Sequence, residues 1–383
     1  MGRCRRSSRR TVSGRRLRGH PLPRANSIDA LRAHIDRIDE KLLALLNARA
    51  RLAMRIGERK RHSRASIYTP DREKRIFQRL AAVNAGPLDA ERIRPIFREI
   101  IGACLSLEKP LRVACLGPLG TFSHQAARQQ FGAGAEPVLV ESFSAVFDEV
   151  EHQRADYGIV PVENSTEGMV AATLDRFVSS PLAIKAEVLL RIEQCLLSSS
   201  GRADRIRRIV SHPQSLGQCR QWLAQHFPSV PQVEAGSNAQ AAELARRDGR
   251  VAALAGRIAA ERYGLKIVAA NIQDQANNYT RFLVLGRDGA GRPSGDDKTS
   301  LLLSAPHEAG ALHRVLKPFA DNRVSLGSIA SRPLKGRPWE YVFFLDLFGH
   351  VHEPRVARAL AALKGRCLFH KVLGSYPAAL PPT

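Results

Sequence analysis

The sequence predicts a multidomain protein of three unlike pieces: an all-α bundle, a two-lobed α/β domain and a ferredoxin-like α+β domain. Three observations carry this. The 383 residues are too many for one core and suit two or three domains. Apolar spacing is helical from Ile28 and becomes strand alternating with helix from Leu111. After a Gly-, Pro- and Asp-rich linker at 287–297 the order becomes β-α-β-β-α-β over 298–376, before a short tail at 377–383.

The first 24 residues hold nine Arg, neither Asp nor Glu, and almost no large apolar side chain. Residues 1–25 are therefore expected to be a disordered basic arm. They lack an apolar h-region, the amphipathic spacing of a transit peptide and the aromatics of a nucleic-acid tail. Removing those nine charges from the formal +23 leaves +14 on the remainder. Scattered rather than striped, this Arg argues against nucleic acid and suits small anionic substrates such as dicarboxylates. No apolar run approaches the roughly 18 residues of a membrane span. The six Cys lie far apart with no Cys-x-x-Cys pair, which points to reduced cytoplasmic thiols and to neither a metal site nor a disulfide framework.

In residues 26–108, Ile28, Leu31, Ile35, Ile38, Leu42, Leu45, Leu52 and Ile56 form a coiled-coil-like seam on one long helix expected from about 28 to 60. Ser27 suits its cap. Thr69-Pro70-Asp71 opens a second helix and Asn84-Ala85-Gly86-Pro87 stops it. The third runs through Ile93, Phe97, Ile100 and Cys104 to Glu108, with Pro95 starting it late or kinking it. Three helices cannot close a core around so long a first member, so a homodimer is expected. Arg49 interrupts the seam and Lys60 continues it, eleven residues on, about 20° around the helix and about 16 Å along it. Glu108 likewise continues the third helix's apolar stripe. Charges facing a core need partners, and three together read as an anion site.

In residues 111–286, apolar strands at 111–116, 157–162, 206–210 and 251–254 each lead into a polar or Gly-containing loop, the pattern of a parallel α/β domain. Segment 182–197 is expected to cross between lobes, and the stretch at 275–286 to return. Ligands in such folds sit at the carboxyl ends of strands. Four loops there are Gly117-Pro118-Leu119-Gly120-Thr121-Phe122-Ser123, Pro161-Val162-Glu163-Asn164-Ser165-Thr166-Glu167-Gly168, Ser211-His212-Pro213-Gln214 with Ser237-Asn238, and Asn277-Asn278-Tyr279-Thr280-Arg281-Phe282. The last stops a polar run abruptly at an apolar strand. His212 reads equally as a general acid or as a turn residue before Pro213.

These motifs resemble a known family. Asn278 to Phe282 is similar to the Thr-Arg-Phe element of prephenate dehydratases, and the three upstream loops fall in that family's order. Residues 26–108 resemble the helical chorismate mutase domain, with Arg32, Arg49 and Lys60 at its cationic positions and Asp71-Arg72-Glu73 at its second-helix motif. Residues 298–376 resemble an ACT regulatory domain, with Gly310-Ala311-Leu312 and Ser331-Arg332-Pro333 matching its phenylalanine-binding motifs. The whole resembles the bifunctional chorismate mutase/prephenate dehydratases.

The resemblance implies rearrangement of chorismate to prephenate, then loss of water and carbon dioxide to phenylpyruvate, with no cofactor and with phenylalanine as feedback effector. By the family's roles Arg32 and Arg49 grip the two carboxylates of chorismate, Lys60 and Glu108 its ether oxygen and Glu73 its hydroxyl, with Arg72 beside them. Thr121, Ser123, Asn164, Ser165, Gln214 and Asn278 bind prephenate, and Thr280 hydrogen-bonds the departing hydroxyl. This chain departs from the family with Thr69 for Asp, Cys104 for Ser, and Ala330 for the Glu of the ACT motif, which is expected to weaken phenylalanine binding. Two rivals stand beside this reading: a dehydratase whose helical domain only dimerises, and a two-lobed binding protein for small anions without catalysis.

Overall fold

The computed structural model describes residues 27–61, 68–334 and 341–379. The expected basic arm, residues 335–340 of the expected 298–376 domain and the end of the tail fall outside them.

Helix α1 spans Ile28–Arg61, α2 Pro70–Val83 and α3 Ala90–Glu108. The Ser27 hydroxyl accepts the Ala30 N–H at 3.2 Å, which caps α1. Thr69 makes no such bond, so α2 starts on Pro70 and on Asp71 and Glu73 in its first turn. Asp89 caps α3 by accepting the Arg92 N–H at 2.8 Å. This helix begins before Pro95 and runs through it rather than starting late, forgoing a hydrogen bond to the Glu91 carbonyl.

Helix α1 packs along α3, yet most of its seam stays open: Ile28 and Leu45 are each 67% exposed and Leu52 60%. Helix α2 lies against α3 and the last strand of the third domain. Lys74 anchors it there, its Nζ 2.8 Å from Asp296 Oδ2.

The first lobe of the α/β domain is one sheet in the order 136–140, 112–116, 157–164, 279–286 and 183–191. Its first three strands are parallel, whereas Tyr279–Gly286 runs antiparallel to both of its neighbours. The sheet is therefore mixed, not parallel throughout. A return from the other lobe enters from the opposite end, and the slot between 157–164 and 183–191 receives it. Ala183–Arg191 passes directly into Cys195–Ser198 of the second sheet, whose order is 266–269, 195–198, 251–255, 208–211 and 232–234. The two lobes thus meet at the crossing strands.

The third domain has an antiparallel sheet in the order 326–333, 341–348, 297–304 and 369–377, with helices Ala311–Asp321 and Pro354–Ala361. One face of it packs on its own helices through Leu301, Leu303, Val315 and Phe319. The other face joins the first lobe's core, where Leu302, Phe344 and Leu373 meet Leu174, Phe177 and Ile184. Gly374 makes this close: a Cβ there would stand 2.2 Å from the Ile184 carbonyl oxygen.

Candidate active sites

The larger site is a cleft of about 540 Å³ between the two lobes, lined by Thr121, Ser123, Asn164, Gln214 and Thr280 among others. Thr280 and Asn164 are register partners on adjacent strands, and both are buried. Asn164 organises the wall. Its Oδ1 accepts the backbone N–H groups of Thr166 at 3.0 Å and Glu167 at 3.1 Å, which fixes the sense of the amide. Its Nδ2 then donates to Asn278 Oδ1 and to Thr280 Oγ1, each at 2.9 Å. Thr280 therefore accepts from Asn164, and its own O–H remains to donate to a group in the cleft.

Of the residues expected at this site, Ser165 and Asn278 stand behind the lining. The Ser165 hydroxyl accepts the Tyr279 N–H at 2.9 Å and donates to the Asn277 carbonyl at 3.1 Å, pinning the loop to the strand. Asn278 is 1% exposed. His212 caps helix Pro213–Gln218, its Nδ1 accepting the Gln214 N–H at 3.3 Å.

Among the described residues, the cleft's lining has no Lys or Arg. An anion there would find helix starts, hydroxyls, side-chain amides and His212 rather than a Lys or Arg. Thr121 caps helix Phe122–Phe131 through the His124 N–H at 3.2 Å, and Ser237 caps Asn238–Arg247 through the Gln240 N–H at 3.0 Å. Both N-termini present positive dipole ends without a strong ion pair. Sequence reasoning missed Glu141, Gln194, Ser215 and Gln218 in this lining. The signal for Gln194 was its place on the predicted crossing segment, since residues between lobes floor the cleft.

A second cluster joins α1 to α3. The Arg49 guanidinium donates to the Ile100 carbonyl at 3.4 Å. Gly57 lets Glu108 approach: a Cβ there would meet the Glu108 Cβ and Cγ at 2.9 Å. Burial raises the Glu108 carboxyl above its ordinary range, and the pull of Lys60 and Arg49 does not cancel it. Oε2 of Glu108 is buried with no hydrogen-bond partner. The structure thus brings Arg49, Lys60 and Glu108 together. It does not bring in Arg32, which is exposed and 3.5 Å from Asp29. Nor does it bring in α2: Arg72 is exposed, and Glu73 is ion-paired with Arg98 at 3.2 Å, about 15 Å along α3 from Glu108. Docking of α2 on the third domain accounts for this, because it turns Glu73 and Lys74 into that junction.

In the third domain Gly310 adopts φ 74° at the start of helix Ala311–Asp321, with Ala311 buried and Leu312 37% exposed. Ser331, Arg332 and Pro333 end strand Leu326–Pro333, and Arg332 Nη2 donates to Asp175 of the first lobe at 3.2 Å. The two motifs sit at a helix start and at a strand end that touches the dehydratase-like domain.

Family models describe the same three pieces in order: chorismate mutase type II over residues 31–109, prephenate dehydratase over 113–290 and the ACT domain over 299–365. The bifunctional chorismate mutase/prephenate dehydratase of Aquifex aeolicus is 48% identical over 354 residues, 91% of this chain and 98% of that protein. The bifunctional enzyme of Stutzerimonas stutzeri is 43% identical over 94% of this chain and all of its own length. Among solved structures, the prephenate dehydratase of Arthrobacter aurescens in complex with L-Phe is 34% identical, covers 70% of this chain and 90% of that one, and superposes with a TM-score of 0.65. The chain belongs to the bifunctional chorismate mutase/prephenate dehydratase family, an isomerase and a lyase of phenylalanine biosynthesis on one polypeptide.

Proposed function

We propose that Thr280 is the hydrogen-bond donor to the departing ring hydroxyl of prephenate, with Asn164 orienting it. The observation that carries this is the Asn164 amide, whose sense leaves the Thr280 proton for the cleft. Thr121, Ser123 and Gln214 hold the substrate through the helix starts, and Ser165 and Asn278 brace Asn164 and the 277–280 loop. Threonine is a poor acid, so Thr280 stabilises the leaving oxygen rather than titrating.

In the mutase, Arg49 grips a carboxylate while Lys60 and a protonated Glu108 donate to the ether oxygen on which charge develops. The second carboxylate takes Arg32 from another copy, which makes the enzyme a homodimer joined along the α1 seam. Phenylalanine is the effector, seated by Gly310 to Leu312 and Ser331 to Pro333. The enzyme works in the cytoplasm, in keeping with five free Cys among the described residues. No described helix is long and apolar enough to cross a membrane.

The test is Thr280→Ala assayed for both activities. Prephenate turnover is expected to fall by two orders of magnitude or more, on the order of the loss of one transition-state donor. Chorismate turnover is expected to stay near wild type, since the two sites lie in different domains. Unchanged prephenate turnover would remove Thr280 from the mechanism.

A further inference from the structure

Gln194 lies between strands Ala183–Arg191 and Cys195–Ser198, where the chain passes from one lobe to the other, and it lines the same cleft as Thr280. Its side chain is almost wholly buried, at 1% exposure. A chain of hydrogen bonds fixes the sense of its amide. Glu167 can only accept, and it takes Gln218 Nε2 at 3.3 Å. Gln218 Oε1 is thereby turned toward Gln194 and accepts its Nε2 at 3.2 Å. The second hydrogen on that nitrogen goes to Ser215 Oγ at 3.0 Å. What remains is the carbonyl oxygen, buried and without a hydrogen-bond partner. A buried acceptor with no donor is rare and needs an explanation, and here it belongs to a residue that lines a ligand cleft.

The chemistry of prephenate supplies the donor. Its two ionised carboxylates and its ketone only accept hydrogen bonds, so the ring hydroxyl is its one donor. We propose that Gln194 is a specificity-determining substrate ligand whose carbonyl accepts the O–H of the prephenate ring hydroxyl. Thr280 donates to the same oxygen, so the hydroxyl is held through both its hydrogen and a lone pair. This contact moves no proton: the hydrogen stays on the oxygen as it leaves. Gln194 acts by selecting and orienting the hydroxyl, and it discriminates against ligands that lack it. The inference rests on the cleft being the prephenate site.

The experiment compares prephenate with an analogue carrying hydrogen in place of the ring hydroxyl, assayed as a competitive inhibitor. In Gln194→Met, near in volume but with no acceptor carbonyl, kcat/KM for prephenate is expected to fall about tenfold to a hundredfold. The inhibition constant of the deoxy analogue is expected to stay within about twofold, because that ligand never used the carbonyl. Near-ultraviolet circular dichroism and urea unfolding report on the fold of the variant, and Gln194→Ala provides a second variant should Met disturb packing. Equal weakening of both ligands, or no change in either, would overturn the inference. If Thr280→Ala keeps full prephenate turnover, the cleft reading itself falls, and the Gln194 inference with it.

Discussion

At the scale of single residues, Glu108 shows how place sets chemistry. A carboxylate facing the ether oxygen of chorismate would repel the charge that develops there, so only the protonated form can donate. Burial raises the Glu108 carboxyl from its ordinary value, while Lys60 and Arg49 pull it back only in part. The sign is then fixed. A raised pKa keeps the proton on to higher pH, so mutase turnover is expected to decline as pH rises through that raised value. Glu108→Gln donates at every pH and should flatten this limb, leaving the dehydratase profile unchanged. Identical mutase profiles in the two proteins would leave Lys60 as the ether-oxygen donor. Arg49, Lys60 and Glu108 were legible in the sequence because each breaks or extends an apolar stripe whose period fixes its face. Gln194 was not legible as a ligand, since its orphaned carbonyl exists only once Glu167 and Gln218 from other elements fix its amide.

At the scale of elements, strand Tyr279–Gly286 carries the proposed donor hydroxyl on one face and a tie to the third domain on the other. Thr280 faces the cleft. Arg281 points the opposite way, with Nε 2.7 Å from Glu187 and further bonds to Asp346 and to the Tyr376 hydroxyl in the third domain. Asp346 also accepts from Ser328 at 2.8 Å. Burial alone would raise the Asp346 carboxyl, but Arg281 and the serine hydroxyls hold it below its ordinary value. Its contribution to stability is therefore complete above the unfolded pKa and lost as pH falls through the lowered one. Asp346→Ala would leave a buried guanidinium short of one acid. It is expected to cost about 3–5 kcal/mol in urea unfolding, against about 1 kcal/mol for Ser328→Ala. Equal small effects would mean that the network does not hold the domains together. The apolar run 282–285 made this strand legible, but its direction was not, because an apolar run reads the same in a parallel or an antiparallel slot. The partners of Arg281 were equally hidden, as Asp346 lies in another domain.

At the scale of the whole molecule, α1 presents an apolar seam that the described residues leave exposed. Leu31, Ile35, Ile38, Leu42, Leu45, Leu52 and Ile56 are each at least 42% exposed, a stripe that a solvated monomer would not keep. Arg32 lies 17 residues from Arg49, about 25 Å along α1 and about 100° around it, too far for both to reach one chorismate. Two copies of α1 paired antiparallel about their midpoints would set Arg32 of one level with Gly57 of the other, inside the Arg49 to Lys60 stretch. A twofold interface would then complete two equivalent sites. Leu45→Glu is expected to shift the sedimenting species from dimer toward monomer and to remove mutase turnover more than dehydratase turnover. Arg32→Ala and Arg49→Ala homodimers should each be nearly inactive as mutases. After subunit exchange at equal amounts, half of the dimers are mixed, and each holds one intact site and one doubly damaged site. About a quarter of wild-type mutase turnover should therefore return. Proven exchange without recovery would place both arginines in the service of one chain and leave the open seam to some other partner.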